Sequence, residues 1–520
     1  MLAACWIYGS TGGNQWAASD GAERSRSDVD RPSVAEKAGV DSRIHLDGET
    51  SWSHITGMTN DGAALWARLL GDPRTMDVVH THGDPVFASS FDVTGFARDA
   101  VSVATLAAAE LFAVRSDQPV PRVDIGSVES AAAFRSEALF EAVGWERPPV
   151  WDPIAGDYRT RDRWIRLHTN YARHRRAALE VLAIPDASAT RAVLEDAVQA
   201  WDGVDLEQAI VTAGGCAAVM YSRDEWLSHE HGYYAKEEPP ISIEQHPIEP
   251  RTAAAVQLVR QAGEGALPLA GLRVLDLTRV LAGPVCTRFL AAHGANVLRL
   301  DPPGFEEVPA VLPETTVGKR CAFLGLDTSE GKAKFSALLE QADVLVHGLR
   351  PGALAKLGFD DATLSGANRS MVLATVDAYG WNGPWRARRG FDSLVQMSTG
   401  IAADSNGPEQ KPRPLPAQAL DHGAGYLLAA GVLRALTERV RTGRPSTVRA
   451  SLVGIANHLY SRPRCGALAS HAARPTDLLE PRRTFWGAAR SVPCPGRIGG
   501  RPTTWTLDAG PLGTSPPSFA

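Results

Sequence analysis

The chain has little of what metal, redox or disulfide chemistry draws on. Its six cysteines, Cys5, Cys216, Cys286, Cys321, Cys465 and Cys494, are scattered, and no two form a CxxC pair. That spacing excludes a dense disulfide framework and fits thiols kept reduced inside a cell. There is no HExxH, and the short-spaced pairs His80/His82 and His229/His231 have no third ligand near them, so they read as surface-loop residues. No GxGxxG follows a strand-like run and no P-loop occurs, because "TVGKR" at Thr316 to Arg320 lacks the first glycine and the hydroxyl after the lysine. The GxSxG nucleophile elbow is missing as well. A membrane span needs about 20 apolar residues, whereas the longest apolar helix candidate, "AGYLLAAGVLRAL", is broken by Arg434. The opening "MLAACWIYGSTGGNQW" has no basic n-region, so no secretory leader is read there. With 53 basic against 59 acidic residues the net charge is −6, which calls for neither nucleic acid nor an anionic membrane as partner. A cytoplasmic location is the expectation.

What is present divides the chain into pieces. Residues 1–45 lack any sustained period and read as a disordered leader. Residues 46–145 read as mainly helical, most clearly in "DAVSVATLAAAELFAVRS". A small α+β domain is expected over 146–245, with a hairpin in "GDYRTRDRWIRLH" and a helix in "NYARHRRAALEVLAI". The Pro-rich "EEPPISIEQHPIEPRTAAAVQ" marks a linker, bounded at 246–265. From 266 to 460 short continuous apolar runs ("RVLDLT", "NVLRLD", "DVLVHGL", "MVLATV") alternate with helical segments. This is the pattern of an α/β fold with a doubly wound, mostly parallel Rossmann-like sheet. Residues 461–520 close the chain.

Four phrases then occur in order: "LAGLRVLDLTRVLAGPVCTRFLAAHGANVLRLDPPG", "GKRCAFLGLDTSEGKAKFSALLEQADVLVHGLRPGALAKLGF", "GFDSLVQMSTG" and "ALDHGAGYLLAAGVLRALTERVRTGRPSTVRASL". In this order and spacing they resemble a family III CoA-transferase, the group of formyl-CoA and carnitine CoA-transferases and of the 2-methylacyl-CoA racemases. The stretch from "GDYRTRDRWIRLH" to "RDEWLSHEHG" resembles the small domain that follows the large one in that family. "FARDAVSVATLAAAELFAVRSDQPVPRV" looks like a faded copy of the phrase around Asp421. The chain thus reads as two family units run together, with 46–145 as the degenerate remnant of a large domain.

The resemblance implies a CoA-transferase. Coenzyme A and acyl-CoA would be substrates, no cofactor would be tightly bound, and a carboxylic acid would be the acceptor. It places the nucleophile at Asp421, attacking the thioester to give an anhydride and then an aspartyl-CoA intermediate. The residue-level reading of the same Asp421 is a helix N-cap before "GAGYLLAAG". The CoA contacts implied are the loop Arg279, Val280, Leu281 and Ala282, then Lys319, Leu349, Arg350, Lys356, Leu357, Arg389 and Phe391. The first unit has Gly95 opposite Asp421, so one active carboxylate per chain is expected. Three departures stand out. "DPPG" after the second strand lacks a basic residue, no glycine-rich shielding loop is found over 461–520, and Phe391 stands where the racemases carry a histidine. An interlocked homodimer and an intrachain pseudo-dimer both fit. The alternatives to transfer are an acyl-CoA racemase or isomerase of the same fold, and a non-catalytic acyl-CoA-binding or scaffold paralogue.

Overall fold

The structure, a computed structural model, describes residues 57–247, 266–404, 410–465 and 475–520. The leader read over 1–45 and the linker from 248 onward lie outside the described residues. The apolar runs become strands, since a run rich in Val, Leu and Ile suits a strand buried on both faces. Seven make the main sheet: β1 (Ile241–Gln245), β2 (Arg273–Leu277), β3 (Asn296–Asp301), β4 (Lys319–Phe323), β5 (Val344–His347), β6 (Val372–Asp377) and β7 (Ser446–Ser451). Their spatial order is β4-β3-β2-β5-β6-β7-β1, all parallel except β1, which runs antiparallel to β7. Strand order therefore reverses between β2 and β5, and in open α/β sheets ligands bind outside the carboxyl ends of the strands at such a point.

β1 corrects the reading of "EEPPISIEQ" as linker. Ile241 and Ile243 alternate with polar residues and pair with Ala450 and Val448 at the sheet edge, a position that tolerates the flanking prolines.

Six helices matter for the site: α1 (Val93–Ser116), α2 (Ala172–Val181), α3 (Ala282–Ala292), α4 (Asp392–Ser398), α5 (Ala419–Thr442) and α6 (Leu452–Ser461). The two 24-residue helices α1 and α5 lie against each other in the core. Both are apolar nearly all round, as central helices must be. They close as tightly as they do because Gly423 of α5 has no side chain; a Cβ there would come within 2.4 Å of the Phe96 ring on α1. Arg434 of α5 forms a buried ion pair with Glu110 of α1. From their first residues onward the two helices match in length, Gly95 falls opposite Asp421, and each ends on a left-handed residue, Asp117 and Gly443. A strand and a helix follow each: Val123–Gly126 and Ser127–Ala133 after α1, β7 and α6 after α5.

The 46–145 region is less purely helical than its pattern implies. Val79–His82 pairs in parallel with Val123–Gly126, so His80 and His82 sit on a strand rather than in a loop. The hairpin expected in the small domain forms, Gly156–Arg159 against Trp164–Leu167, with Ala217–Val219 added beside it. This small domain docks on α4 of the same chain, where Cys216, Ala218 and Met220 pack with Leu394 and Met397. His229 and His231 belong to that junction and not to a surface loop. His231 is buried, bonded to the Tyr379 carbonyl at 2.9 Å and stacked on Trp385.

Candidate active site

A cleft of about 290 Å³ opens at the carboxyl ends of β2, β5 and β6. Leu277 to Gly283 form one wall, Gly348 to Arg350 and Val376 to Ala378 a second, and Arg388 to Phe391 a third. Tyr171, Arg173 and His174 of the small domain close it, and Asp421 lines it from the start of α5. The fold thus brings together nine of the twelve residues singled out in the sequence: Asp421, Arg279, Val280, Leu281, Ala282, Leu349, Arg350, Arg389 and Phe391.

The other three lie elsewhere. Lys319 was expected as a phosphate-binding cation, but its side chain is 0% exposed. Its Nζ donates to Asp276 Oδ2 at 3.0 Å and to the Pro284 carbonyl at 3.2 Å, which leaves no face for a phosphate. It balances a buried carboxylate that also takes Thr278 and Thr287 as donors. Lys356 is exposed on the short helix Ala353–Lys356, outside the cleft lining. Leu357 is partly buried against the hydrophobic cluster that includes Leu345 and Leu354, outside the cleft lining.

Asp421 is the third residue of α5, not its cap. It is 6% exposed, so only a small part of it reaches solvent, and that part opens on the cleft. The helix start favours its ionised form. Burial opposes this, together with the neighbouring Asp392 carboxylate, and the two push the Asp421 carboxyl well above the usual range. The adjacent His422 points away into the core, where its Nε2 meets Glu137 Oε2 of the first half at 2.8 Å and its ring stacks on Phe134.

The loop after β2 is held in a costly conformation. Val280 has φ +63°, a left-handed backbone that a β-branched residue rarely adopts. Its N–H donates to Glu307 Oε2 at 3.0 Å, and Tyr171 Oη donates to Glu307 Oε1 at 2.6 Å. One buried carboxylate thereby ties the loop to the small domain. Arg299 and Asp301 complete that cluster, so the acid of "DPPG" is occupied structurally. Arg279 lies 3.9 Å from the centre of the Phe305 ring and 3.6 Å from Asp301.

The cleft is rimmed by positive charge: Arg173 and Arg350 are exposed at its mouth, and Arg389 is half-buried. Arg388 is spent on packing, paired with Glu207 at 2.9 Å over the Trp385 ring. Phe391 stacks flat on His168 with ring centres 3.6 Å apart. Asp377 is a second carboxyl in the lining, pushed by burial to about 7 although the Tyr379 and Gly380 N–H groups donate to it. Sequence reasoning missed Tyr171, His174, Asp377 and Glu307. The run "NYARHRR", basic and aromatic at once, was the available signal for the first two. Among the described residues no group of three or more metal-ligating side chains is assembled, and no helix is long and apolar enough to cross a membrane.

Residues 269–485 match the model of CoA-transferase family III. Over 204 residues the chain is 34% identical to the probable fatty acyl-CoA transferase Rv3272 of Mycobacterium tuberculosis, covering 37% of this chain and 52% of that protein. It is 33% identical over 196 residues to a formyl-CoA:oxalate CoA-transferase of Rhodopseudomonas palustris, covering 35% and 46%. The crystal structure of Rv3272 aligns at 34% identity over 38% of this chain and 58% of that one, with a TM-score of 0.36. The chain spans about half the length of these curated relatives.

Proposed function

We propose that this protein moves CoA from an acyl-CoA donor to a carboxylic acid, with Asp421 as the nucleophile, a reading supported by the match of residues 269–485 to the model of CoA-transferase family III. The observation that carries the reading is the shared cleft: Asp421 lines the same space as the 279–282 loop and the arginine rim. A thioester laid along that loop would have its carbonyl at the start of α5 and its phosphates among Arg173, Arg350 and Arg389. Guanidinium groups suit this task because they offer charge-assisted, two-pronged bonds to phosphate.

The steps follow from a carboxylate acting as nucleophile. An Asp421 oxygen attacks the thioester carbon, the C–S bond breaks, and CoA leaves as thiolate, giving a mixed anhydride. The thiolate then attacks the Asp421 carbonyl carbon, releasing the donor as a carboxylate and forming an aspartyl-CoA thioester. The acceptor carboxylate attacks that thioester and expels the thiolate. The thiolate takes the acceptor's acyl carbon, which regenerates Asp421. The helix start at α5 supplies oriented N–H dipoles to the charge that builds during attack. The racemase alternative asks for a base at position 391, and Phe391 stacked on His168 supplies none.

Incubation with a panel of acyl-CoAs followed by hydroxylamine is expected to leave a hydroxamate on Asp421, read by peptide mass spectrometry, and Asp421→Ala is expected to leave none. Exchange of the α-proton with deuterium and no adduct would point to racemisation instead. CoA binding with neither adduct nor exchange would point to the non-catalytic paralogue.

A further inference from the structure

The first turn of α5 is capped from outside the helix. Gln418 holds the N-cap position and makes no side-chain capping bond there. Asp392, the first residue of α4, does the work across the gap. Its Oδ2 accepts from Leu420 N at 2.8 Å and from Asp421 N at 3.0 Å. Its Oδ1 accepts from Gln396 Nε2, and Gln396 Oε1 accepts from Leu415 N at 2.8 Å. Asp392 is 0% exposed, so this carboxylate is a buried charge placed on the backbone N–H of the residue proposed as nucleophile.

We propose that Asp392 is a positioning residue for Asp421: its two backbone hydrogen bonds fix the first turn of α5 so that the Asp421 carboxyl opens on the cleft, and its negative charge confronts the nucleophile's own. The inference rests on the functional reading above. A cap alone does not need a full charge, since an amide oxygen accepts the same two N–H bonds and a buried charge is costlier than a buried amide. What the charge adds is its effect on Asp421. Burial and backbone donation together leave Asp392 at about 6, and the two carboxyls repel. The other titratable and charged groups around Asp421 are Glu137 from the first half and, in the cleft lining, Asp377, the arginines of the loop and rim, and His174, whose imidazole burial holds down at about 3. Of these, Asp392 is the one bonded to Asp421's own backbone. The consequence is a nucleophile held in place and ionised late. Once ionised it is a stronger nucleophile than an ordinary aspartate.

The test uses the full chain and two variants. In Asp392→Asn the amide oxygen can keep both backbone bonds, but the amide NH₂ then faces the donor of Gln396. In Asp392→Asn/Gln396→Glu that donor becomes an acceptor and the bond set is restored. The first readout needs no substrate. It is the pH midpoint for carbodiimide-dependent labelling of Asp421, followed by peptide mass spectrometry. The second is the rate of hydroxamate formation. Removing the adjacent negative charge makes ionisation easier, so the labelling midpoint of the single variant is expected to fall by about 1 pH unit. Its adduct rate is expected to drop about tenfold as the first turn loosens. The double variant is expected to recover most of the rate. An unchanged midpoint together with an unchanged rate, in a single variant that melts like the wild type, would overturn the proposal. If the single variant does not fold, Asp392→Ser, which keeps a hydroxyl acceptor for the α5 N–H groups and carries no charge, takes its place, and an unchanged midpoint with an unchanged rate there overturns the proposal. A wild type that titrates by labelling but forms no hydroxamate with any acyl-CoA would sink the functional reading alone, and the midpoint comparison would still judge Asp392.

Discussion

A carboxyl that attacks a thioester must be ionised, and the cleft makes ionisation hard for the two acids in its lining. Asp421 is held up by burial and by Asp392, while Asp377 is held up mainly by burial, with the nearby Glu238 adding to the effect. A group whose folded pKa lies above its unfolded one stabilises the fold fully below the unfolded value, and that contribution is lost as pH rises through the folded value. For Asp377 this window runs from the usual 3.8 to about 7. Thermal melts of the wild type are therefore expected to weaken across it, and Asp377→Asn, which keeps an acceptor for the Tyr379 and Gly380 N–H groups, is expected to flatten that slope. Asp421 was legible from the sequence because the phrase around it is specific. Lys319 was misread for a physical reason. A lysine at the start of a strand looks the same in sequence whether it faces a phosphate or a buried aspartate, and Asp276 lies far from it along the chain.

Between elements, the site depends on how closely α5 lies to α1 on one side and to α3 on the other. Gly423 and Gly425 make both approaches possible, but they meet different obstacles. A Cβ at Gly423 would strike the Phe96 side chain, and one at Gly425 would lie 2.6 Å from the Ala282 carbonyl oxygen, which is backbone of the cleft-lining loop. Overpacking of this kind costs about 1–3 kcal/mol, so both alanine variants are expected to lose stability in urea titrations. Gly425→Ala is expected to weaken CoA binding as well, whereas Gly423→Ala is expected to regain stability when Phe96 is changed to Leu. The helical period announced α1 and α5, and the continuous apolar runs announced β2, β3, β5 and β6, whereas β4 and β7 carry no such run. β1 was hidden because a five-residue strand between prolines has the composition of a linker, and only its partner β7 gives it a sheet to belong to.

For the molecule as a whole, the first half is built into the second. α1 backs α5, Glu137 meets His422, and Glu110 pairs with Arg434 inside the core and with the exposed Arg441 at its margin. Removing one member of a buried ion pair strands the other, at a cost of about 3–5 kcal/mol. Glu110→Gln is therefore expected to lower the urea midpoint sharply, far more than loss of the exposed Arg161–Asp202 pair, and a chain lacking the first half is not expected to fold. The structure places the chain's own small domain against its own large domain, with Cys216, Ala218 and Met220 packed on Leu394 and Met397 and Tyr171, Arg173 and His174 lining the cleft. The edge strand Ile241–Gln245 has a further bearing on how the protein is made. It leaves the ribosome before any other strand of its sheet, yet its neighbour Ser446–Ser451 is synthesised last of the seven. Glu141–Val143 waits longer still, for Gly487–Ser491. Val123–Gly126 likewise waits for Arg497–Ile498. Pairings so distant in sequence form slowly. The nascent chain therefore carries at least three unsatisfied strand edges through much of its synthesis, which makes the growing polypeptide, more than the finished one, the form that needs protection from aggregation.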